Sequence, residues 1–226
     1  MKRVGKVSAS SSFWHRNSLS IVFLALTLLT LAGHLLAGWR FSTGEREAHG
    51  EPAQALATYA GSGEFLSSLF ENWESEFLQM GMFVLLTVYL RQRGSSESRC
   101  MDPQDEAAPP KPPLAEQPWP VRRGGLWLKL YEHSLSAALL SLFAISLALH
   151  WINSWRAHVH EQVLHHQPVT QWSAYLWDAQ FWFESLQNWQ SEFLSVVVLV
   201  VLSIFLREKD SSQSKKVYAR HCDTGT

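Results

Sequence analysis

Two stretches of this chain, Leu19 to Trp39 and Leu135 to Trp155, each run for about 20 residues with one histidine, His34 or His150, as the only ionisable side chain. A helix of that length spans about 30 Å, the thickness of a bilayer's hydrocarbon core. The near-neutral average hydropathy conceals this, because the apolar residues are gathered into runs. Two further runs, Phe77 to Leu90 and Leu194 to Leu206 with its leading Phe193, are only about 14 residues long. To cross, each must be extended backwards into a polar motif.

That motif is written twice. Phe70-Glu-Asn-Trp-Glu-Ser-Glu-Phe77 returns as Leu186-Gln-Asn-Trp-Gln-Ser-Glu-Phe193, and Trp73 and Trp189 stand 116 residues apart (189 − 73). The same offset, without a gap, carries His34 onto His150, Trp39-Arg40 onto Trp155-Arg156, Pro52 onto Pro168, Tyr59 onto Tyr175 and Leu90-Arg91 onto Leu206-Arg207. Roughly a third of the aligned positions are identical, which marks a duplicated unit. The expected fold is therefore an all-α integral membrane protein, with four transmembrane helices arranged as two duplicated helical hairpins. An even number of crossings per unit puts both hairpins in parallel orientation.

The expected boundaries follow: a cytoplasmic N-terminus 1–17; repeat 1 over 18–93 with spans at about 18–39 and 64–91; a proline-rich cytoplasmic linker 94–125; repeat 2 over 126–209 with spans at about 134–155 and 180–207; and a disordered tail 210–226. Pro109-Pro-Lys-Pro-Pro113 and Pro118-Trp-Pro120 argue against regular helix in the linker. The basic leader Lys2, Arg3, Lys6 and Arg16 fits a signal peptide, but no small-x-small cleavage site follows the long first run, and its repeat partner lies in mid-chain. The first run is read as a retained anchor.

Positive charge sets the orientation. Arginines and lysines crowd the leader, the linker and the tail, whereas Arg40, Arg46 and Arg156 alone fall in the other two connections. The positive-inside rule places both termini and the linker in the cytoplasm. Trp39, Trp73, Trp151, Trp155, Trp182 and Trp189 cluster near the opposite ends of the spans, where indole favours the headgroup zone. Cys100 and Cys222 both lie on the cytoplasmic side, so no structural disulfide is expected.

The candidate site residues are polar groups at membrane depth. Asn72, Glu76 and Gln79 recur at i, i+4 and i+7 on one helical face, echoed by Asn188, Glu192 and Ser195. Counted along the helices, Glu76 lies about 21 Å and His34 about 22 Å from the cytoplasmic edge, so the two pairs share a depth in a core of about 30 Å. Glu76, Glu192, His34, His150, Asn72 and Asn188 thus form a candidate intramembrane cluster. Such groups serve either as interhelical glue or as a proton- or ion-handling site. A metal held by the two histidines and two glutamates, or haem between His34 and His150, is the remaining alternative to no cofactor at all. In the outer connections Glu45-x-x-x-His49-x-x-Pro52 matches Glu161-x-x-x-His165-x-x-Pro168, placing Glu and His on one face of any helix there. His158, His160 and His166 add an imidazole cluster around Glu161 in the second copy. Ser62 and Asp178 are candidate N-caps for the returning helices.

No phosphate-cradling glycine loop, Gly-x-Ser-x-Gly, His-Glu-x-x-His or Cys-x-x-Cys is present, so an enzyme is not expected. Net charge near zero implies no nucleic-acid partner. The bilayer is the expected partner, together with a second copy or other membrane proteins.

Asn17-Ser-Leu-Ser20, the Glu-x-x-x-His-x-x-Pro connections, the doubled Asn-Trp-x-Ser-Glu-Phe-Leu and Leu90-Arg-Gln-Arg-Gly-Ser-Ser-Glu-Ser98 resemble an uncharacterised family of small bacterial four-span membrane proteins, classed only as a domain of unknown function. The resemblance covers nearly the whole chain apart from the linker and tail, and implies the bacterial inner membrane. It implies no activity. The integrated expectation is a structural or interaction bundle, with a small proton- or ion-handling transporter, channel or sensor as the alternative. Cysteines introduced singly into the outer connections should react with an impermeant thiol reagent from the periplasmic side; labelling only from the cytoplasm would reverse the orientation.

Overall fold

Helix α1 (Ser18–Ala48) is apolar all the way round: Leu19, Phe23 and Leu29 project outward, and its apolar stretch has no buried side chain. A helix with no wet face suits a hydrocarbon surround. Thr27 and Thr30 turn their hydroxyls back onto the carbonyls of Phe23 (2.9 Å) and Leu26 (2.8 Å), so neither needs a partner outside the helix.

The structure, a computed structural model, describes residues 13–101 and 111–225 and divides after Phe65 into two units. The leader residues Lys2, Arg3 and Lys6, and the linker stretch 102–110 with Pro109, lie outside the described residues. The described chain is helical, without strands.

In the first unit, α1 continues past Trp39 to Ala48 and is closed by a Schellman turn. The Glu51 N–H reaches the Arg46 carbonyl (2.9 Å) and the Gly50 N–H the Glu47 carbonyl (3.0 Å), with Gly50 at φ +77°. Arg46 then pairs with Glu51 (3.0 Å) and donates to the Pro52 carbonyl (3.2 Å). The chain folds back along its own helix: the Trp39 indole donates to the Gln54 carbonyl (2.7 Å), and Ser42 donates to Glu64 (2.8 Å). A short helix, Leu56–Ala60, delivers the buried Tyr59 against Phe65 and Gly38. Any Cβ at Gly38 would occupy the place of the Tyr59 hydroxyl, which is why glycine stands there.

Helix α2 (Gly63–Tyr89) is capped by Ser62, whose hydroxyl accepts from the Phe65 N–H (3.2 Å). In the second unit it is followed by α3 (Ser134–Leu164) and α4 (Ala179–Phe205), with Asp178 capping α4 through the Gln180 N–H (2.8 Å). Helices α1 and α3 are each 31 residues long, α2 and α4 each 27. Three of these, α1, α3 and α4, are long and apolar enough to cross a membrane. Helix α2 carries Glu64, Glu71, Glu74 and Glu76 in its first half.

Local details recur at the offset seen in the sequence. The Trp155 indole donates to the Thr170 carbonyl (2.9 Å), as Trp39 does to Gln54. Helix α3 closes on the same turn, with the Gln167 N–H on the Gln162 carbonyl (2.8 Å), but here His166, at φ +53°, occupies the left-handed position that Gly50 fills in the first unit. The Glu45/His49 and Glu161/His165 pairs are thus helix-stop residues: the His49 imidazole Nδ1 meets the Glu45 carbonyl (2.8 Å), and the His165 N–H donates to the Glu161 carbonyl (3.0 Å).

Two expectations need correction. The linker does contain helix, at Trp119–Arg123, with Pro118 as its N-cap and Pro120 in its first turn. Proline is tolerated there because first-turn N–H groups have no intrahelical acceptor. The Arg123 guanidinium lies over both the Trp119 ring (5.3 Å) and the Trp127 ring (5.8 Å). The tail, expected to be disordered from 210, instead folds through Gly225. After α2 the Gln92 N–H donates to the Ser98 hydroxyl, and after α4 the Glu208 N–H donates to that of Ser214, both at 2.9 Å. The two turns meet through the Ser96 hydroxyl on the Gln213 carbonyl (3.2 Å), while the first turn also reaches Ser203 of α4 through Ser95 (2.8 Å) and Thr224 of the tail through the Gly94 N–H (2.9 Å). Lys215, 2% exposed, donates to the carbonyls of Arg220 (3.3 Å), His221 (3.1 Å) and Asp223 (2.9 Å). Burial, reinforced by the Arg207 charge, pulls its pKa below the ordinary lysine value. A serine- and charge-rich composition reads as disorder, yet here those side chains cap the backbone groups that the turns leave open.

The two left-handed positions can be tested together. Gly50→Ala should cost about 1 kcal/mol and His166→Gly should stabilise by up to about 1 kcal/mol, because open space surrounds Gly50 and only backbone strain changes. Thermal unfolding in detergent measures both, and shifts of the same sign would overturn the reading.

Candidate functional site

His150 is wholly buried in α3, and its ring lies against Phe181 at 5.1 Å. Its Nδ1 meets Glu74 Oε2 on α2 at 3.1 Å, with both side chains fully buried. Its Nε2 points to Glu184 Oε2 on α4 at 3.4 Å, where the carboxylate is 24% exposed. A third carboxylate, Glu71, half-buried one turn before Glu74, completes the group: donor atoms of Glu71, His150 and Glu184 all lie within 4.8 Å of one another. Three helices thereby converge on one imidazole.

Each carboxylate is held by a further donor. The Trp189 indole donates to Glu74 Oε1 (3.2 Å), and the Asn188 amide donates to Glu71 Oε1. Ser154 donates to Glu184 Oε2 (2.9 Å) and Gln180 to Glu184 Oε1 (3.0 Å). Because Ser154 gives its proton to Glu184, the Tyr175 hydroxyl at 2.7 Å donates to Ser154, making a directed chain from Tyr175 to Glu184. Gln180 also meets His158 Nδ1 (3.1 Å), which links the cluster to a half-buried imidazole two turns further along α3. Phe181, Trp182 and Trp189 pack edge to face around α4, with Phe143 of α3 against Trp189 (5.9 Å).

Nδ1 faces Glu74 and Nε2 faces the remaining carboxylates, so each ring nitrogen has an oxygen partner. Three carboxyl groups around one imidazole need a proton or another cation to balance the charge they carry when ionised.

Of the residues expected at the site, His150 and Asn188 are present. Glu76 is exposed and takes no part; Asn72 donates to the Ser68 carbonyl of its own helix (2.7 Å). Glu192 is half-buried and near enough to Glu76 to feel its charge, and outside the cluster. Gln79 and Ser195, from the same expected stripe, do pair across α2 and α4 (2.8 Å), and Gln79 also donates to the Glu192 carbonyl (3.3 Å). His34 lies in the first unit with its ring on Phe65 (5.2 Å). Glu45, His49, Glu161 and His165 are exposed.

The residues that the sequence reading missed are Glu71, Glu74 and Glu184. At the 116-residue offset they stand opposite Gln187, Gln190 and Ser68, so a search for identities between the copies passes over them. A carboxylate facing a neutral counterpart was the available signal.

Fold and site together define an all-helical protein, with helices compatible with a membrane and an imidazole enclosed by carboxylates. The chain belongs to the family described as Domain of unknown function (DUF6766), whose model matches residues 10–226. No curated protein and no solved structure matches it.

Tyr175 reports on the packing of this region. Burial pushes its phenol up to about 12; the Ser154 hydrogen bond opposes this, and the charges of Glu184, Asp178 and Glu161 add to it. A raised acid pKa means that the neutral form is favoured on folding, so this stabilisation is present below pH 10 and is lost as pH rises through about 12. Burial also raises the Tyr59 phenol to about 12, so alkaline titration of phenolate absorbance should show two tyrosines titrating late, and Tyr175→Phe should remove one of them. If Tyr175→Phe instead removes a step at the ordinary tyrosine value, the packing is wrong.

Proposed function

We propose that this chain is an integral protein of the bacterial inner membrane with four crossings, and that Glu71, Glu74, His150 and Glu184 handle a cation within the membrane, as part of a small transporter, channel or sensor. The carrying observation is the enclosure of one imidazole on α3 by three carboxylates from α2 and α4. Ionisable groups at such depth face the protein interior and mark ion pathways. The half-exposed side, at Glu71 and Glu184, supplies an approach to the closed side at Glu74 and His150.

Helix α2 is the fourth crossing in this reading. Its second half is apolar, and in its first half Glu71 and Glu74 turn to partners on α3 and α4 rather than to lipid. Equal lengths of α1 and α3, and of α2 and α4, support descent from one duplicated hairpin; the distribution of basic residues supports cytoplasmic termini. The reading assigns no catalytic step.

A purely structural bundle is the second reading, and the Gln79–Ser195 bond favours it, since such interhelical contacts stabilise packing by about 1 kcal/mol. Trp189 separates the two, because its indole sits on Glu74. In vesicles containing the purified protein, addition of protons, monovalent or divalent cations should change the Trp189 emission, identified by difference from Trp189→Phe, and Glu184→Gln should abolish that change while protein abundance persists. No response to any cation, with the variant equally abundant, would leave only the structural role.

A further inference from the structure

We infer that the cation is a divalent transition metal, bound by Glu71, His150 Nε2 and Glu184, with Glu74 as the positioning residue. The inference rests on the cation-handling reading and deepens it.

The number of converging donor atoms, more than any one distance, favours a metal over a shared proton. At 3.1 Å the contact of Nδ1 with Glu74 is an ordinary hydrogen bond, whereas 3.4 Å between Nε2 and Glu184 exceeds the usual N–H···O range of about 2.7–3.2 Å. It equals the edge between two ligands of a tetrahedral metal, about 3.4 Å for bonds of about 2.1 Å. A proton bridges two atoms, but here a third, from Glu71, lies within 4.8 Å of the other two. His150 is fully buried, with Nε2 directed into that triangle.

The surroundings match those of a metal centre. A ligating histidine is normally oriented by a carboxylate on its other nitrogen, which fixes the tautomer and raises ligand basicity. Glu74 does this, and is itself pinned by Trp189. The two carboxylate ligands are held in turn, Glu71 by Asn188 and Glu184 by Ser154 and Gln180. Three protein ligands leave a fourth position on the side where Glu71 and Glu184 are partly exposed, open to water or to passage of the ion. The imidazole selects the chemistry: calcium and magnesium favour all-oxygen shells, whereas a nitrogen with two carboxylates suits zinc, cobalt, manganese or iron in the divalent state.

The test is titration of the purified full-length chain in detergent with Co²⁺, followed by its visible absorption and by displacement with Zn²⁺. One ion per chain is expected, with bands typical of nitrogen and oxygen ligation. His150→Ala, and Glu71→Gln combined with Glu184→Gln, should abolish binding; Glu74→Gln should keep the stoichiometry but weaken affinity about 10- to 100-fold. Glu184→Asp, which retains a carboxylate, should still bind with shifted bands, and Glu76→Gln should match the wild type. Circular dichroism establishes that each variant is folded. Failure of the wild type to bind Co²⁺ or Zn²⁺, or equal binding by folded His150→Ala, overturns the inference. If protons or monovalent cations still change the Trp189 emission in that case, the metal alone is wrong; if nothing does, the cation reading falls with it.

Discussion

The imidazole of His150 ties α2, α3 and α4 together, and most of the polar structure of the second unit is arranged around it. The His150 side chain is wholly buried, so both ring nitrogens must be answered by protein. Glu74 answers one. The other faces Glu184 and Glu71, and these two require Ser154, Gln180 and Asn188 to hold them. From one buried ring the need for partners spreads outward until it reaches His158 in the last third of α3 and Tyr175 in the connection between α3 and α4.

The ends of the long helices obey a different requirement. Their last carbonyls have no intrahelical donors and are satisfied by left-handed turns after α1 and α3 and, after α4, by Arg207 on the Ser203 and Ile204 carbonyls and His221 on that of Ile204. The left-handed turns recur at the 116-residue offset. The cluster does not: at that offset Ser154 stands opposite Gly38, and Glu184 opposite Ser68. Helix-end features are shared at the offset, and the cluster is built where the residues differ.

That division explains what was legible in the residues. The long helices, their caps at Ser62 and Asp178, and the importance of His150 and Asn188 were readable, because periodicity, capping chemistry and isolated polar groups in apolar runs carry local signals. The choice of face on α2 was not. Glu71 and Glu74 occupy one side and Asn72 and Glu76 another, about 100° away per residue, and helix geometry permits either side to turn inward. Identity between copies favoured Glu76; packing selected Glu74, because His150 and Trp189 lie on its side.

By itself, then, the amino-acid sequence determined the helical class, the runs apolar enough for a membrane, and the presence of a few polar groups that water could not reach. These follow from composition along the chain and from local hydrogen-bonding rules. Only the tertiary structure decided which carboxylates surround His150 and that the C-terminal turns fold around Lys215, because both depend on contacts between residues far apart in sequence. The rotation of one helix against its neighbours is set by the sum of all those contacts, and no single segment encodes it.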